Sequence, residues 1–146
     1  MPIIVTGASG IKRDLSKLSK TIERSPKEIF KVVSEARNMI RKRTNKAQTA
    51  SGGKFRKLNT VYAKRKLDKK KKPIPNLHWS GAMLRAMQVK KFNGGADIYF
   101  NDTSERNKAE YHHFGRGVPR RSFFRLGKTI ETYIYNQFKK PFQRLL

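Results

Sequence analysis

Two short segments of the sequence carry residue types that nucleotide-dependent enzymes use. The first is Gly7-Ala8-Ser9-Gly10, which follows the apolar residues 3–5 and precedes apolar residues at helical spacing. A strand, a glycine turn and a helix is the order that a phosphate-binding turn requires. A dinucleotide site also needs a further glycine soon after Gly10, so that the helix packs closely on the strand. Lys12 and Arg13 stand there instead, which argues against a dinucleotide enzyme.

The second segment contains Tyr62 and Lys66, which have the Y-x-x-x-K spacing of a dehydrogenase catalytic pair. Lysine is so frequent around them that this spacing arises easily by chance, and a motif without its structural context is weak. Too little chain precedes Tyr62 for the several strands that such an enzyme needs. The sequence therefore predicts no enzyme and no cofactor at either segment.

Histidine and carboxylate side chains are the remaining candidates for chemistry, as metal ligands. His112 and His113 are sequence neighbours, and neighbours on a helix point about 100° apart, so they rarely bind one ion. His78 is isolated, and the sequence contains no cysteine. Asp97 and Asp102 are explained more simply by a hairpin and a helix cap than by magnesium. Packing and hydrogen bonding are the predicted roles of the histidines, and no metal is expected.

The composition indicates macromolecular partners. The 146 residues, a length typical of one domain, include 35 Lys and Arg against 10 Asp and Glu, giving a formal net charge of +25. Self-repulsion at this charge disfavours a free compact monomer, so an anionic partner is expected. No apolar run approaches the ~20 residues that cross a bilayer, and no basic region precedes the apolar N-terminal stretch. We expect no membrane contact and a cytoplasmic location during synthesis.

Apolar spacing and capping residues predict mainly helices. Apolar residues recur at helical spacing from Ile11 to Ile22, and Ser25-Pro26 begins a helix that runs to about Thr44. That helix is expected to present Ile29, Val33, Ala36 and Ile40 on one face, with Phe30 beside them. Two alternating runs, 88–92 and 97–101, flank Asn93-Gly94-Gly95 and predict a β-hairpin. The other predictions are a loop over 45–57 and helices over about 59–67, 81–87, 102–114 and 126–138.

The most basic segment follows the short helix. Lys69 to Lys72 are consecutive, and Pro73 and Pro75 come directly after them. Because like charges repel and proline lacks an N–H donor, residues 64–76 are predicted to form an exposed, mobile basic arm. Its cations suit phosphate neutralisation without sequence readout, and equally an acidic protein surface. The candidate interaction residues here are Lys64, Arg65, Lys66, Lys69, Lys70, Lys71 and Lys72.

From Ile40 to Ile130 the order of short motifs resembles the virion-morphogenesis, or tail-completion, family of the neck of tailed phages. The motifs are a basic helix end, a glycine loop with an aromatic-x-x-leucine, a tyrosine followed by lysines, a leucine followed by Thr/Ser-Gly and a small helix, a Tyr-Ala-x-x-His-x-x-Gly-like helix end and a Pro-x-Arg-x-Phe segment. In this chain they fall on Phe55, Leu58, Tyr62, Lys64, Lys66, Leu77, Ser80, Gly81, Leu84, Tyr111, His112, His113, Phe114, Gly115, Pro119, Arg121, Phe123 and Phe124.

The resemblance implies a single α+β domain over 1–146, with a small antiparallel sheet packed against N- and C-terminal helices. It also implies a non-enzymatic ring, of six or twelve subunits, that completes the tail or joins it to the head. The implied partners are portal, connector or tail-tube proteins, with non-specific contact to viral double-stranded DNA, and the implied location is the virion. Further candidate interaction residues are Pro119, Arg120, Arg121, Phe123 and Phe124.

The implied assembly suggests a role for several of these residues. Pro119 would fix the chain before the last helix and Arg121 would pair with a carboxylate. Phe123 and Phe124 would anchor either the core or an interface, and the sequence does not choose between the two. The alternative function is a basic nucleic-acid-binding protein, ribosomal-like or DNA-packaging, for which the +25 charge is the argument.

Overall fold

The computed structural model describes residues 26–93 and 95–143, with side chains described as far as residue 140. The predicted N-terminal strand, glycine turn and first helix therefore lie outside the described residues. The elements in chain order are α1 (Pro26–Asn45), α2 (Thr60–Asp68), α3 (Ala82–Arg85), β1 (Met87–Phe92), β2 (Gly95–Phe100), α4 (Thr103–Phe114) and α5 (Gly127–Gln143). A two-stranded antiparallel sheet combined with helices confirms the predicted α+β class.

Helix α1 forms because its apolar residues recur every three or four positions. Pro26 occupies the first turn, where a missing N–H costs nothing, and Lys42 and Arg43 lie at the negative end of the helix dipole. The residues that it buries are Ile29, Val32, Ala36, Ile40 and Thr44. Val32 is buried and the predicted Val33 is only partly buried; both positions keep steps of three and four residues, so spacing alone does not choose between them. This stripe packs across both strands and against α5.

The hairpin lies where the sequence predicts it, although β1 begins one residue earlier than predicted and β2 begins two residues earlier and ends one residue earlier. Its register runs from Met87 opposite Phe100 to Phe92 opposite Gly95. Met87 is fully buried, and Ile98 and Phe100 pack on the core from one face of the sheet. Toward the tip, Phe92 is exposed.

Helix α4 has caps at both ends that the sequence indicates. Asp102 is the N-cap, and its carboxylate accepts a hydrogen bond from the Glu105 N–H at 2.9 Å. Gly115 ends the helix with φ +76°, a left-handed conformation that glycine adopts without steric cost. Ala109 is the residue that α4 buries, and α4 contacts α3 and β2.

The segment that enters α5 is held by Arg43, which projects from the end of α1. Its guanidinium donates to the carbonyls of Phe123 at 2.8 Å, Arg125 at 2.5 Å and Leu126 at 2.8 Å. Gly127 follows with φ +71°, packed against the Ala50 carbonyl of the glycine-containing loop. Arg43 therefore ties α1 to the start of α5 through main-chain acceptors alone.

The core is formed by residues of α1, α3, β1, α4 and α5 and of the segments between these elements. Its buried residues are Ala36, Ile40, Phe55, Met83, Leu84, Met87, Ala109, Phe123 and Ile130. Phe55 enters this core from the irregular segment between α1 and α2. Among the helices that the structure describes, none is both long and apolar enough to cross a bilayer.

Candidate interaction surface

Helix α2 is the least buried of the longer helices. Asn59 is its N-cap, and the Asn59 side-chain oxygen accepts a hydrogen bond from the Tyr62 N–H at 2.8 Å. Of its nine residues the only buried one is Lys66, which is 2% exposed, whereas Val61 is 65% and Leu67 57% exposed. A helix normally turns its apolar side chains inward. Here a cation points inward and aliphatic side chains face solvent.

The Lys66 ammonium is held by neutral acceptors. Nζ donates to the Ile74 carbonyl at 2.8 Å and to Asn76 Oδ1 at 2.9 Å. Burial lowers the pKa of Lys66, and the charges of Lys71 and Arg121 lower it further. The prediction of an exposed arm over about 64–76 is therefore wrong at Lys66, which is buried and whose hydrogen bonds to Ile74 and Asn76 hold the segment that follows the helix. A buried lysine within a lysine-rich run has no local sequence signal.

Arg121 lies beside this lysine, from the segment between α4 and α5. It is 5% exposed, and its backbone N–H donates to the His112 carbonyl at 2.7 Å. Its Nη1 makes only long contacts, 3.4 Å to the Pro119 carbonyl and 3.5 Å to His112 Nδ1, and its buried Nε has no partner among the described residues. Burial lowers the pKa of Arg121, while Tyr62 raises it and Arg56 lowers it.

Two aromatic rings lie at the solvent edge of these cations. Tyr62 and Trp79 stack with centroids 5.7 Å apart and planes at 29°, and they are 39% and 40% exposed. Lys71 Nζ lies 5.4 Å from the Trp79 ring centroid and also donates to the Trp79 carbonyl. We call the group formed by Arg56, Tyr62, Lys66, Lys71, Trp79 and Arg121 the cationic cluster.

The cationic cluster has no carboxylate member in the part of the chain that the structure describes. The two ion pairs found there are Lys42 with Glu35 at 4.0 Å and Lys108 with Glu105 at 2.7 Å, on α1 and α4. The acceptors of the cluster are therefore carbonyl, amide and imidazole groups. These satisfy hydrogen bonds but do not neutralise positive charge.

The structure separates the other candidate interaction residues into exposed and buried groups. Those on the surface are Lys64, Arg65, Lys69, Lys70, Lys72, Pro119 and Arg120, whereas Lys71 is half-buried. Phe123 is fully buried in the core, so it is not available as an interface residue, and Phe124 packs partly buried against the same core. Of the two roles that the sequence leaves open, the core role is the one observed for Phe123, while an interface role for Phe124 stays a prediction.

The histidines of α4 serve the segment between α4 and α5. His113 Nδ1 accepts the Phe124 N–H at 3.3 Å, and its ring meets the Phe123 ring edge-on at 6.2 Å. Burial lowers the pKa of both histidines, helped by Arg121 at His112 and by Arg125 and Arg120 at His113. Residues 26–93 and 95–143 contain no group of three side chains able to hold a metal ion.

Sequence reasoning missed several of the residues that matter here. The sequence places Tyr62 and Lys66 in a dehydrogenase-like spacing and in the family motif, and it does not show that Lys66 is buried, although residues four apart on a helix share a face. Trp79, the single tryptophan of the chain, carried no motif, and Arg56 was one cation among many. Nothing local in the sequence places Arg121 next to Lys66, because that proximity depends on the tertiary fold.

Comparison of the chain with models of protein families, with curated proteins and with solved structures found no match in any of the three.

Proposed function

We propose that this chain is a structural protein of a tailed-phage neck, which assembles into a ring that completes the tail or joins it to the head. The order of motifs between Ile40 and Ile130 supports the assignment. The small α+β fold is the one that this resemblance implies. The protein acts by adhesion to its own copies and to portal, connector or tail-tube proteins, and it performs no chemical conversion.

The observation that carries the proposal is the surface of α2. Its aliphatic residues Val61 and Leu67 are 65% and 57% exposed, and Tyr62 of the same helix stacks with Trp79. Single exposed hydrophobic residues are ordinary, but several on one short helix and the segment after it are typical of a contact surface. Assembly would cover these side chains and distribute the positive charge over neighbouring molecules.

The test is to measure the mass of the purified protein, alone and mixed with portal, connector or tail-tube proteins, by mass photometry. We expect a ring or a stable complex, and we expect the double substitution V61T/L67Q to abolish it while the circular dichroism stays unchanged. Tyr135, which is 63% exposed on α5, provides the control variant Y135T, which should still assemble. A wild-type protein that remains monomeric with all of these partners would refute the proposal.

A second candidate function is non-specific nucleic-acid binding, favoured by the +25 charge and the exposed cations of residues 64–72. Binding through phosphates releases counterions, so the affinity for double-stranded DNA should fall steeply with salt. Affinity measured by fluorescence anisotropy at several salt concentrations tests this function. Binding that is absent or insensitive to salt would exclude it.

A further inference from the structure

The cationic cluster combines buried positive charges with a shortage of anionic neighbours. Lys66 and Arg121 are 2% and 5% exposed. The charges of Arg121 and Lys71 act on Lys66, and the charge of Arg56 acts on Arg121. An uncompensated buried charge is costly because water no longer solvates it. Binding of an anion at a site of this kind is therefore favourable.

We infer that the cationic cluster binds the carboxylate of an aspartate or glutamate side chain from a partner protein, an inference that rests on the proposed assembly function. Arg121 is the principal ligand. Its Nε is buried without a partner among the described residues, and its Nη1 contacts, at 3.4 and 3.5 Å, are at the limit of hydrogen bonding. The Arg121 guanidinium therefore still has N–H groups that can donate hydrogen bonds to both oxygens of a carboxylate. Lys66 already uses its Nζ on Ile74 and Asn76, so it contributes charge.

The burial of the cluster favours a protein side chain over a nucleic-acid backbone. A carboxylate on a flexible side chain can reach a guanidinium that is 5% exposed. The phosphates of a duplex are spaced along a rigid surface and suit exposed cations such as Lys64 and Arg65. Tyr62 and Trp79, half exposed at the edge, complete the set of tyrosine, tryptophan and arginine that is enriched at the energetic centres of protein interfaces.

Trp79 makes the experiment specific, because it is the only tryptophan in the chain and it belongs to the cluster. The probe is an end-blocked oligoglutamate of about eight residues, titrated at about 0.15 M NaCl to screen diffuse attraction. Trp79 fluorescence reports binding. An oligothymidylate of the same length is titrated in parallel. We expect a saturable change with oligoglutamate and a weaker one with oligothymidylate.

Matched substitutions separate the site from general charge. We expect R121Q to weaken oligoglutamate binding about tenfold and R56Q about threefold, while K64Q weakens it less than about twofold. Lys64 is the control because it lies on the same helix but about 200° round from Lys66, exposed to solvent. Circular dichroism checks the fold of each variant. If R121Q does not fold, R56Q is compared with K64Q instead, because Arg56 is exposed and its substitution leaves the core intact.

Two results would overturn the inference. The first is equal weakening by K64Q and by the cluster variants, which would mean that charge alone attracts the peptide. The second is tighter binding of oligothymidylate that depends on Arg121, which would identify a nucleic-acid site. Failure here is distinguishable from failure of the proposed function. If the wild-type protein assembles with phage partners but its oligoglutamate binding does not depend on Arg121, this inference alone is refuted. If oligoglutamate binds at the cluster but the protein never assembles, the proposed ring function is refuted.

Discussion

The hydrogen bonds of Arg43 should be a main source of stability. The substitution Arg43→Met keeps most of the side-chain length and removes every donor. Three carbonyls, those of Phe123, Arg125 and Leu126, then lose their partner. The same change removes one positive charge from a chain of net charge +25, which relieves self-repulsion and acts in the opposite direction.

The expected loss follows from the surroundings of the three bonds. The bond to the Phe123 carbonyl is part-buried, and those to Arg125 and Leu126 are exposed. A hydrogen bond from a charged donor contributes about 1.5–3 kcal/mol when shielded, and exposed bonds contribute well under that. We expect the free energy of unfolding to fall by about 3 kcal/mol. Arg43→Lys, which keeps the charge but cannot reach three carbonyls from one nitrogen, should lose about half as much.

Urea unfolding followed by circular dichroism measures these changes by linear extrapolation. Lys42→Met is the matched control, since it removes the same charge from the adjacent position, where Lys42 makes only an exposed 4.0 Å ion pair with Glu35. That variant should change the free energy of unfolding by less than about 0.5 kcal/mol. Equal effects of Arg43→Met and Lys42→Met would refute the reasoning, because the loss would then not depend on the three carbonyls.

Two further predictions concern the same part of the fold. Gly127→Ala places a Cβ 2.1 Å from the Ala50 carbonyl oxygen at φ +71°, so urea unfolding should show a loss of about 3 kcal/mol or more. Gly117→Ala, at φ +67° with open space around it, should cost only about 1 kcal/mol, and equal costs would contradict the steric argument. The lowered pKa values of His112 and His113 predict that acidification destabilises the protein, because the unfolded chain takes up protons first as the pH falls through about 6.5. The melting temperature should therefore drop between about pH 7.5 and about pH 5.5, and His113→Gln should reduce that drop; an unchanged slope in this variant would show that His113 is not responsible.

Local patterns were sufficient to predict the regular elements. The α1 stripe, the Asn-Gly hairpin and the caps of α4 each depend on residues within a few positions of one another, so their signals are complete in the sequence. The register of the hairpin does not follow in the same way: the predicted strands leave residues 93–96 between them, whereas Phe92 pairs with Gly95. The α+β class follows from these elements once they are placed together.

The candidate site could not be predicted to the same extent, because its contacts span long stretches of chain. Lys66 and Arg121 are 55 positions apart by their residue numbers, and Arg43 reaches carbonyls 80 to 83 positions away. In a sequence where cations are so frequent, nothing distinguishes the few that turn inward. The Y-x-x-x-K spacing does place Tyr62 and Lys66 on one face of α2, but it carries no sign that this face meets Arg121.

One electrostatic property connects the fold to the proposed assembly. Arg41, Arg43 and Lys66 direct their charged groups at main-chain carbonyls, and Arg121 contacts one as well. Carbonyl acceptors let a chain with few carboxylates hold cations against its interior, but they leave each charge unneutralised. The folded chain therefore keeps its positive charge and concentrates part of it at the cationic cluster. A partner that supplies anions there would neutralise charges that the described residues leave without a carboxylate. Under the proposed assembly, this neutralisation would contribute to the free energy of association.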